Sequence, residues 1–275
     1  MLDTGVECRE LGIRNQKSMK IHETAIIHPE AQLGEDVEVG PYSIIDENVK
    51  VGDGTKIGPH VHLEGWTTIG RECRIFTGAT IGNESKDLKY NQGDRSFVTI
   101  GDRNVIREYA SISRATGKDD VTEIGDDNLL MTCAHVAHDC KIGNKTILAS
   151  FAALGGHVTI HDRAIIGAHS ATHQFVRVGT MAFIGACAKL VQDVPPYIIS
   201  DGYPARVRCI NVIGLRRNGI PPQTRLLLKK AYKLLFRSKL NMTQAVKRVR
   251  EEAEMCPEVE NLLRFIETSE RGIGV

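Results

Sequence analysis

Imidazole takes up and releases a proton near neutral pH, and in this chain it is unevenly distributed. Of ten histidines, four lie between residues 22 and 62, none between 63 and 134, and six between 135 and 173. Asp139 directly follows His138, so a carboxylate is available to orient that ring or raise its basicity, as general acid or base work requires. Successive residues of a strand point to opposite faces, which leaves contact between the two open. Three histidines could instead hold zinc with a free fourth position, although His135 and His138 share one stretch of chain and no third ligand is placed unambiguously. Purely structural histidines are the third reading. No phosphate-binding glycine loop, G-x-S-x-G elbow or paired-carboxylate site occurs.

Whether these side chains meet depends on the elements that carry them. An aliphatic residue recurs every six positions from Ile21 to Ile81, again at Ile100, Ile106 and Ile112, and from Ile124 to Leu190, with Thr172 the only other type in 26 units. Four residues after each stands a small or β-branched residue, as at Ala25, Val37, Val61, Ala134 and Ala152. Two inward positions per six, joined by a turn where Gly supplies φ values that other residues avoid, describe a short strand and a corner. Three units close a coil of 18 residues, and coils stacked about 4.8 Å apart pair in parallel and bury the inward column. The fold class expected is therefore all-β, a parallel β-helix of hexapeptide repeats over residues 20–196. Cys73 and Cys140 fall in the inward column, as inert buried thiols. Residues one coil apart lie over one another, so His138, His157 and the pair His173–Gln174 line one edge of three successive coils, with His135 near the same corner.

Two breaks interrupt the repeat, a polar, charged stretch between Ile81 and Ile100 that could reach a ligand and a protruding turn between Ile112 and Ile124. After Pro195 and Pro196 the period ends, and residues 197–275 are expected to be a linker and a small all-α domain. Helices are predicted over 222–239 with Thr224 as cap, from Thr243, and after Pro257. Charge is segregated there: residues 219–250 hold nine basic and no acidic side chains, and residues 251–270 hold seven acidic and one basic. A basic helical platform suggests an anionic partner.

The 275 residues are 41% apolar and 25% charged, which places the chain in the globular class. Lys plus Arg number 35 against 34 Asp plus Glu, so nothing points to nucleic acid. Seven cysteines without a CxxC pair suggest neither a disulfide framework nor a zinc knuckle and fit a reducing compartment. No apolar run is long enough for stable membrane insertion, and the charged first 20 residues are unlike a signal peptide, so a cytoplasmic location is expected. Residues 1–19 match nothing that follows and are expected to be a disordered leader.

The run DDNLLMTCAHVAHDCKIG at 126–143, with DLKY at 87–90, LGGH at 154–157, HQF at 173–175, QDVPPY at 192–197, Asn211 and GLRR at 214–217, resembles the UDP-N-acetylglucosamine O-acyltransferase family over about residues 20–275. The resemblance implies a left-handed helix, exceptional for parallel crossovers, a homotrimer, and the first committed step of lipid A synthesis. It implies that His138, with Asp139, is the general base and takes the proton of the sugar 3-hydroxyl as it attacks a 3-hydroxyacyl thioester on acyl carrier protein. Gly156 N–H would be the oxyanion donor. His135, His157, His173 and Gln174 match cleft positions, Asp87 and Lys89 the loop that holds sugar and acyl groups, Asn211 and Arg217 the nucleotide contacts, and Ala186 the residue that limits acyl length. Lys229, Lys230 and Lys233 would meet the acidic carrier protein; no cofactor and no metal is implied. Lys86, Ser150, Pro204 and Asn218 depart from the family pattern, which leaves open a 3-amino UDP-sugar as acceptor. The alternatives are the related N-acyltransferase of the same pathway and a non-catalytic β-helix scaffold.

Overall fold

The computed structural model of the protein describes residues 20–275, so the expected leader lies outside the described residues. Each hexad contributes a strand, usually of two residues, ending on its aliphatic residue, as in Lys50–Val51, Lys56–Ile57 and His62–Leu63. These assemble into three sheets of eleven, nine and eight strands, the three faces of a left-handed parallel β-helix. Pairing joins residues 18 apart, Glu38 to Lys56 and Ile44 to His62, so every coil stacks in register on the next. Leu63, Ile81, Ile112 and Leu154 fill the interior with Val37, Val61, Ala134 and Ala152 between them. Burial raises the thiol pKa of Cys73 and pushes that of Cys140 up to about 12, which keeps both protonated.

Glycine has a different task from the one its position suggested. The left-handed corner residue is fourth in its hexad and is seldom glycine: Asp36, Tyr42, His60 and Glu72 occupy it at φ of 53°, 58°, 56° and 55°. Gly52, directly after an aliphatic residue, is required by proximity instead, since a Cβ there would lie 2.7 Å from the carbonyl carbon of Gly70 on the next coil. The corner geometry is imposed by the strands on either side and tolerates Asp and His, which matters for the site.

Two coils are enlarged. Phe97–Ile100 pairs with Trp66–Ile69 at an offset of 31 residues and with Val121–Ile124 at 24. Both insertions leave the helix between the nine-strand and the eight-strand sheet, at the same corner that carries His138 between His135–Val136 and Lys141–Ile142.

Residues 198–210 are not a linker. Ile198–Gly202 and Ala205–Ile210 form an antiparallel hairpin, and the first of these strands pairs in parallel with Phe183–Ile184, extending the eleven-strand sheet. Four helices follow: α1 (Val212–Arg217), α2 (Pro222–Phe236), α3 (Met242–Glu252) and α4 (Pro257–Glu267). Thr224 is not a cap, because Pro221 holds that position and Thr224 falls inside the first turn of α2. Helix α3 begins one residue earlier than Thr243, on a capping box between Asn241 and Gln244. Leu228, Ala231, Leu262 and Leu263 pack with Tyr197 and Ile198, so the helices share a second core with the end of the β-helix.

Candidate active site

The corner between the nine-strand and eight-strand sheets stacks His138, Gly156 and Gln174 in one column and Asp139, His157 and Phe175 in the next. Asp139 has φ 59°, so it belongs to a corner and not to a strand, and the alternation that separates strand neighbours does not apply. Its Oδ2 lies 2.7 Å from His138 Nδ1, which settles the contact left open by the sequence. An ionised carboxylate only accepts, so Nδ1 carries the hydrogen and Nε2 keeps its lone pair. His138 Nε2 stands 3.8 Å from Asp87 Oδ2. The ring is only 8% exposed, and His157 meets it edge-on at 5.3 Å while stacking flat on Phe175 at 4.5 Å.

Asp139 is held from several sides. Thr116 N–H approaches both its oxygens at 3.3 and 3.4 Å, His157 Nε2 is 3.6 Å from Oδ2, and its own N–H donates to Thr122 Oγ1. A further contact joins Thr116 Oγ1 to His138 Nδ1 at 3.0 Å.

The first insertion brings Asp87 to this corner. Lys89 N–H donates to Asp87 Oδ1 at 2.9 Å, and this bond first, with the Lys89 ammonium nearby, holds the carboxyl below the usual carboxylate range. Asp87 N–H donates to Ser85 Oγ, and buried Arg114 donates to Tyr90 Oη at 2.8 Å and to Glu84 at 3.3 Å, fastening the loop to the second insertion. Thr116, Ser85 and Arg114 escaped the sequence reading; their one signal was a place inside or beside a break in the repeat.

Gly156 is fixed by His138. A Cβ there would collide with the His138 ring, so any other residue displaces the imidazole. Its N–H donates to no group among the described residues, since the coil ladder uses Gly155 N–H and His157 N–H on either side. His135 Nδ1 is 2.7 Å from Ser111 Oγ; burial first, with Lys86 and His138 adding repulsion, pushes its pKa down to about 4, so it is neutral at pH 7. His173 and Gln174 are exposed on the same edge, and Lys89 is exposed on the loop.

Other expected site residues lie elsewhere on the chain. Asn211 is buried and committed: its side chain accepts from Gly214 N–H as the cap of α1 and donates to Met181 O, at the corner between the eight-strand and eleven-strand sheets. Arg217 is exposed at the far end of α1. Ala186 is exposed at the third corner, between the eleven-strand and nine-strand sheets. Three groups among the described residues bring ligand atoms within 4.8 Å of one another; the one at this corner is Asp87, His138 and His157, and His135 is not part of it.

Comparison with known proteins gives this site its class. Residues 193–274 match the model of domain 2 of UDP-N-acetylglucosamine O-acyltransferase, and residues 48–83 match the bacterial transferase hexapeptide model. The acyl-[acyl-carrier-protein]–UDP-N-acetylglucosamine O-acyltransferase of Aliivibrio salmonicida is 50% identical over 260 residues, covering 92% of this chain and 99% of its own. That of Paraburkholderia xenovorans is 46% identical over 259 residues, covering 92% and 98%. The UDP-N-acetylglucosamine acyltransferase of Bacteroides fragilis superposes with a TM-score of 0.89 at 41% identity, covering 92% of this chain and 98% of that one. The Arabidopsis protein described in the same words gives 0.83 at 36%, covering 93% and 100%. Fold and site together define a hexapeptide-repeat acyltransferase, an enzyme and not a scaffold. Within that class, the chain belongs to the acyl-[acyl-carrier-protein]–UDP-N-acetylglucosamine O-acyltransferase family.

The depressed His135 couples the cleft to stability. Its ordinary value is 6.5 and its folded value about 4, so between these pH values the unfolded chain binds a proton that the folded one refuses. The stabilising contribution is complete above pH 6.5 and is lost as pH falls toward 4. His135→Gln should therefore flatten part of the decline in Tm across that window, measured beside wild type by calorimetry; parallel Tm curves would show that His135 titrates normally.

Proposed function

We propose that this enzyme transfers a 3-hydroxyacyl group from acyl carrier protein to the 3-hydroxyl of UDP-N-acetylglucosamine, the first step of lipid A biosynthesis, without an acyl-enzyme. The observation that carries the chemistry is His138, with Nδ1 held by Asp139 and Nε2 left free beside Asp87. Nε2 takes the hydroxyl proton as the sugar oxygen forms its bond to the thioester carbonyl carbon. The carbonyl oxygen gains the negative charge and is met by Gly156 N–H, the uncommitted donor against the same ring. Collapse breaks the C–S bond, and the imidazolium returns the proton to the departing thiolate, leaving an ester and a free carrier thiol. Asp87 and Lys89 hold the sugar and acyl groups at the mouth, with His157, His173 and Gln174 along the edge. Free thiols at six cysteines among the described residues fit the cytoplasm, where the carrier is acylated. No described helix is long and apolar enough to cross a membrane.

A direct assay with 3-hydroxyacyl carrier thioester and UDP-N-acetylglucosamine tests the reading, with the 3-amino sugar as competing acceptor. In that assay His138→Ala should lower kcat by about 10²- to 10⁴-fold, the size of a general-base contribution, with some fall in Tm because the buried Asp139 carboxylate loses its partner. Chelators should leave wild type unaffected. A variant retaining more than about half of wild-type kcat would remove His138 from the role, and faster amide formation on the amino sugar would change the acceptor.

The active unit is a homotrimer. One chain supplies only one wall: Phe175 is 51% exposed beside His157, while Ala186 is exposed at another corner and reaches a histidine edge only from another copy. Tyr42, Tyr109 and Phe151 are exposed along the corner that carries Ala186, with Tyr42 stacked on His60 and Phe151 on His169, an apolar ridge for a neighbouring chain. Light scattering should give the mass of three chains at micromolar protein; the mass of one chain would refute it.

The carrier meets helix α2. Structure narrows the basic platform, because Lys247, Arg248 and Arg250 are neutralised by Glu251, Glu252, Glu260 and Glu267. Lys229, Lys230 and Lys233 are exposed on α2 without an ion pair among the described residues. Reversing these three to Glu should raise KM for the acyl carrier and leave KM for the nucleotide sugar nearly unchanged. The wild-type KM for the carrier should rise with salt, since fields are screened over about 8 Å at physiological ionic strength. Salt-independent kinetics would reduce the lysines to a solvated face.

A further inference from the structure

We infer that Thr116 is a positioning residue that clamps the His138–Asp139 pair and ties it, through Ser85, to the loop that carries Asp87. The inference deepens the reading of His138 as the base and rests on it. Thr116 lies in the second insertion and Ser85 in the first, two places where the repeat is broken at the same corner. Four contacts join end to end. Asp87 N–H donates to Ser85 Oγ at 3.2 Å, Ser85 Oγ is 2.7 Å from Thr116 Oγ1, Thr116 Oγ1 is 3.0 Å from His138 Nδ1, and Nδ1 is 2.7 Å from Asp139 Oδ2.

Proton accounting gives this chain one direction. Asp139 only accepts, so the hydrogen between it and His138 resides on Nδ1. Thr116 Oγ1 can then only accept from that N–H, as a second acceptor. The threonine's own hydrogen is then available to Ser85 Oγ, which also receives Asp87 N–H. Thr116 holds the other member of the pair as well, since its backbone N–H approaches the Asp139 carboxylate at 3.3 Å. Ser85 is 8% exposed and the Asp139 side chain 9%, so water has little access to substitute for these bonds.

The consequence is a link between the seated loop and the aligned base. With Ser85 in place, Thr116 presents a lone pair to the imidazole and supports the tautomer that leaves Nε2 unprotonated. With Ser85 withdrawn, the threonine hydroxyl is free to rotate and turn its hydrogen toward Nδ1–H, opposing that tautomer. Placement of Asp87 and readiness of His138 are then one event, and the second insertion, which carries none of the residues expected to touch substrate, acquires a purpose.

Thr116→Val tests this because it keeps the branched shape and the backbone N–H while removing only Oγ1. It should lower kcat about tenfold, the size of one lost hydrogen bond in the transition state, with KM for the acyl carrier unmoved and a small drop in Tm as Ser85 Oγ loses its partner. Thr116→Ser should restore most of the loss. Ser85→Ala should lower kcat in the wild-type background and have little further effect in Thr116→Val, because the chain is already cut. Wild-type kcat in Thr116→Val, a serine variant as slow as the valine one, or fully additive effects of the two changes would each overturn the inference. Failure of the base assignment itself is read separately, as wild-type turnover in His138→Ala.

Discussion

Backbone approach between coils is the constraint on which the rest depends. Gly52 has no room for a Cβ because the carbonyl of Gly70 occupies it, and the inward column beside the aliphatic residues is filled by Val, Ala, Cys, Ser or Thr, with Asn104 and Asn128 buried at the two enlarged coils. Stacking this tight forbids slippage, since a one-residue shift would send the whole inward column outward. The reward is positional precision along the outside: residues 18 apart are hydrogen-bonded neighbours, so a corner can be furnished one coil at a time. His157 stacks on Phe175 one coil on and meets His138 edge-on because a helix of this kind has little freedom to place them otherwise.

That same regularity made the fold legible. Hexad period, coil length and the histidine edge all follow from spacing, because parallel register converts sequence distance directly into spatial adjacency. Legibility stops wherever the period does. The hairpin 198–210 replaces a repeat with antiparallel pairing, and its alternation of Arg206, Val207, Arg208 and Cys209 carries no six-residue signal. Thr116 and Ser85 lie in insertions whose course no repeat dictates. The contact of Asp139 with His138 was hidden for a different reason: the sequence placed the pair near a corner, but the backbone sign that turns one toward the other is a property of the fourth position, visible only once φ is known.

Charge offers a second contrast between what composition says and what packing leaves. The basic run and the acidic run at the C-terminus read as two opposed faces, yet helices α3 and α4 bring much of one onto the other, with Arg250 gripping Glu260 and Glu267 together. Such exposed pairs contribute little to stability. Their effect is subtraction: they cancel charge on α3 and leave Lys229, Lys230 and Lys233 of α2 among the cations without an ion pair in the described residues. An anionic partner would meet that field away from α3.

A rigid solid is a poor enclosure for a substrate, because the corner of a prism is convex. Two features answer this. The insertions raise Asp87 and Thr116 above the coil surface and fasten themselves with buried Arg114, so that a second tier of groups overhangs the base without disturbing the stack beneath. In the homotrimer proposed above, a second copy of the chain would supply the opposing wall, using corners that are otherwise unfurnished. His138, the proposed base, stays in the rigid part, pressed against Gly156 and bonded to Asp139, where its Nε2 lone pair is aimed by backbone geometry. Preorganisation of this kind is what an unactivated hydroxyl requires, since a proton must leave at the moment the new bond forms and the acceptor has no time to search for it.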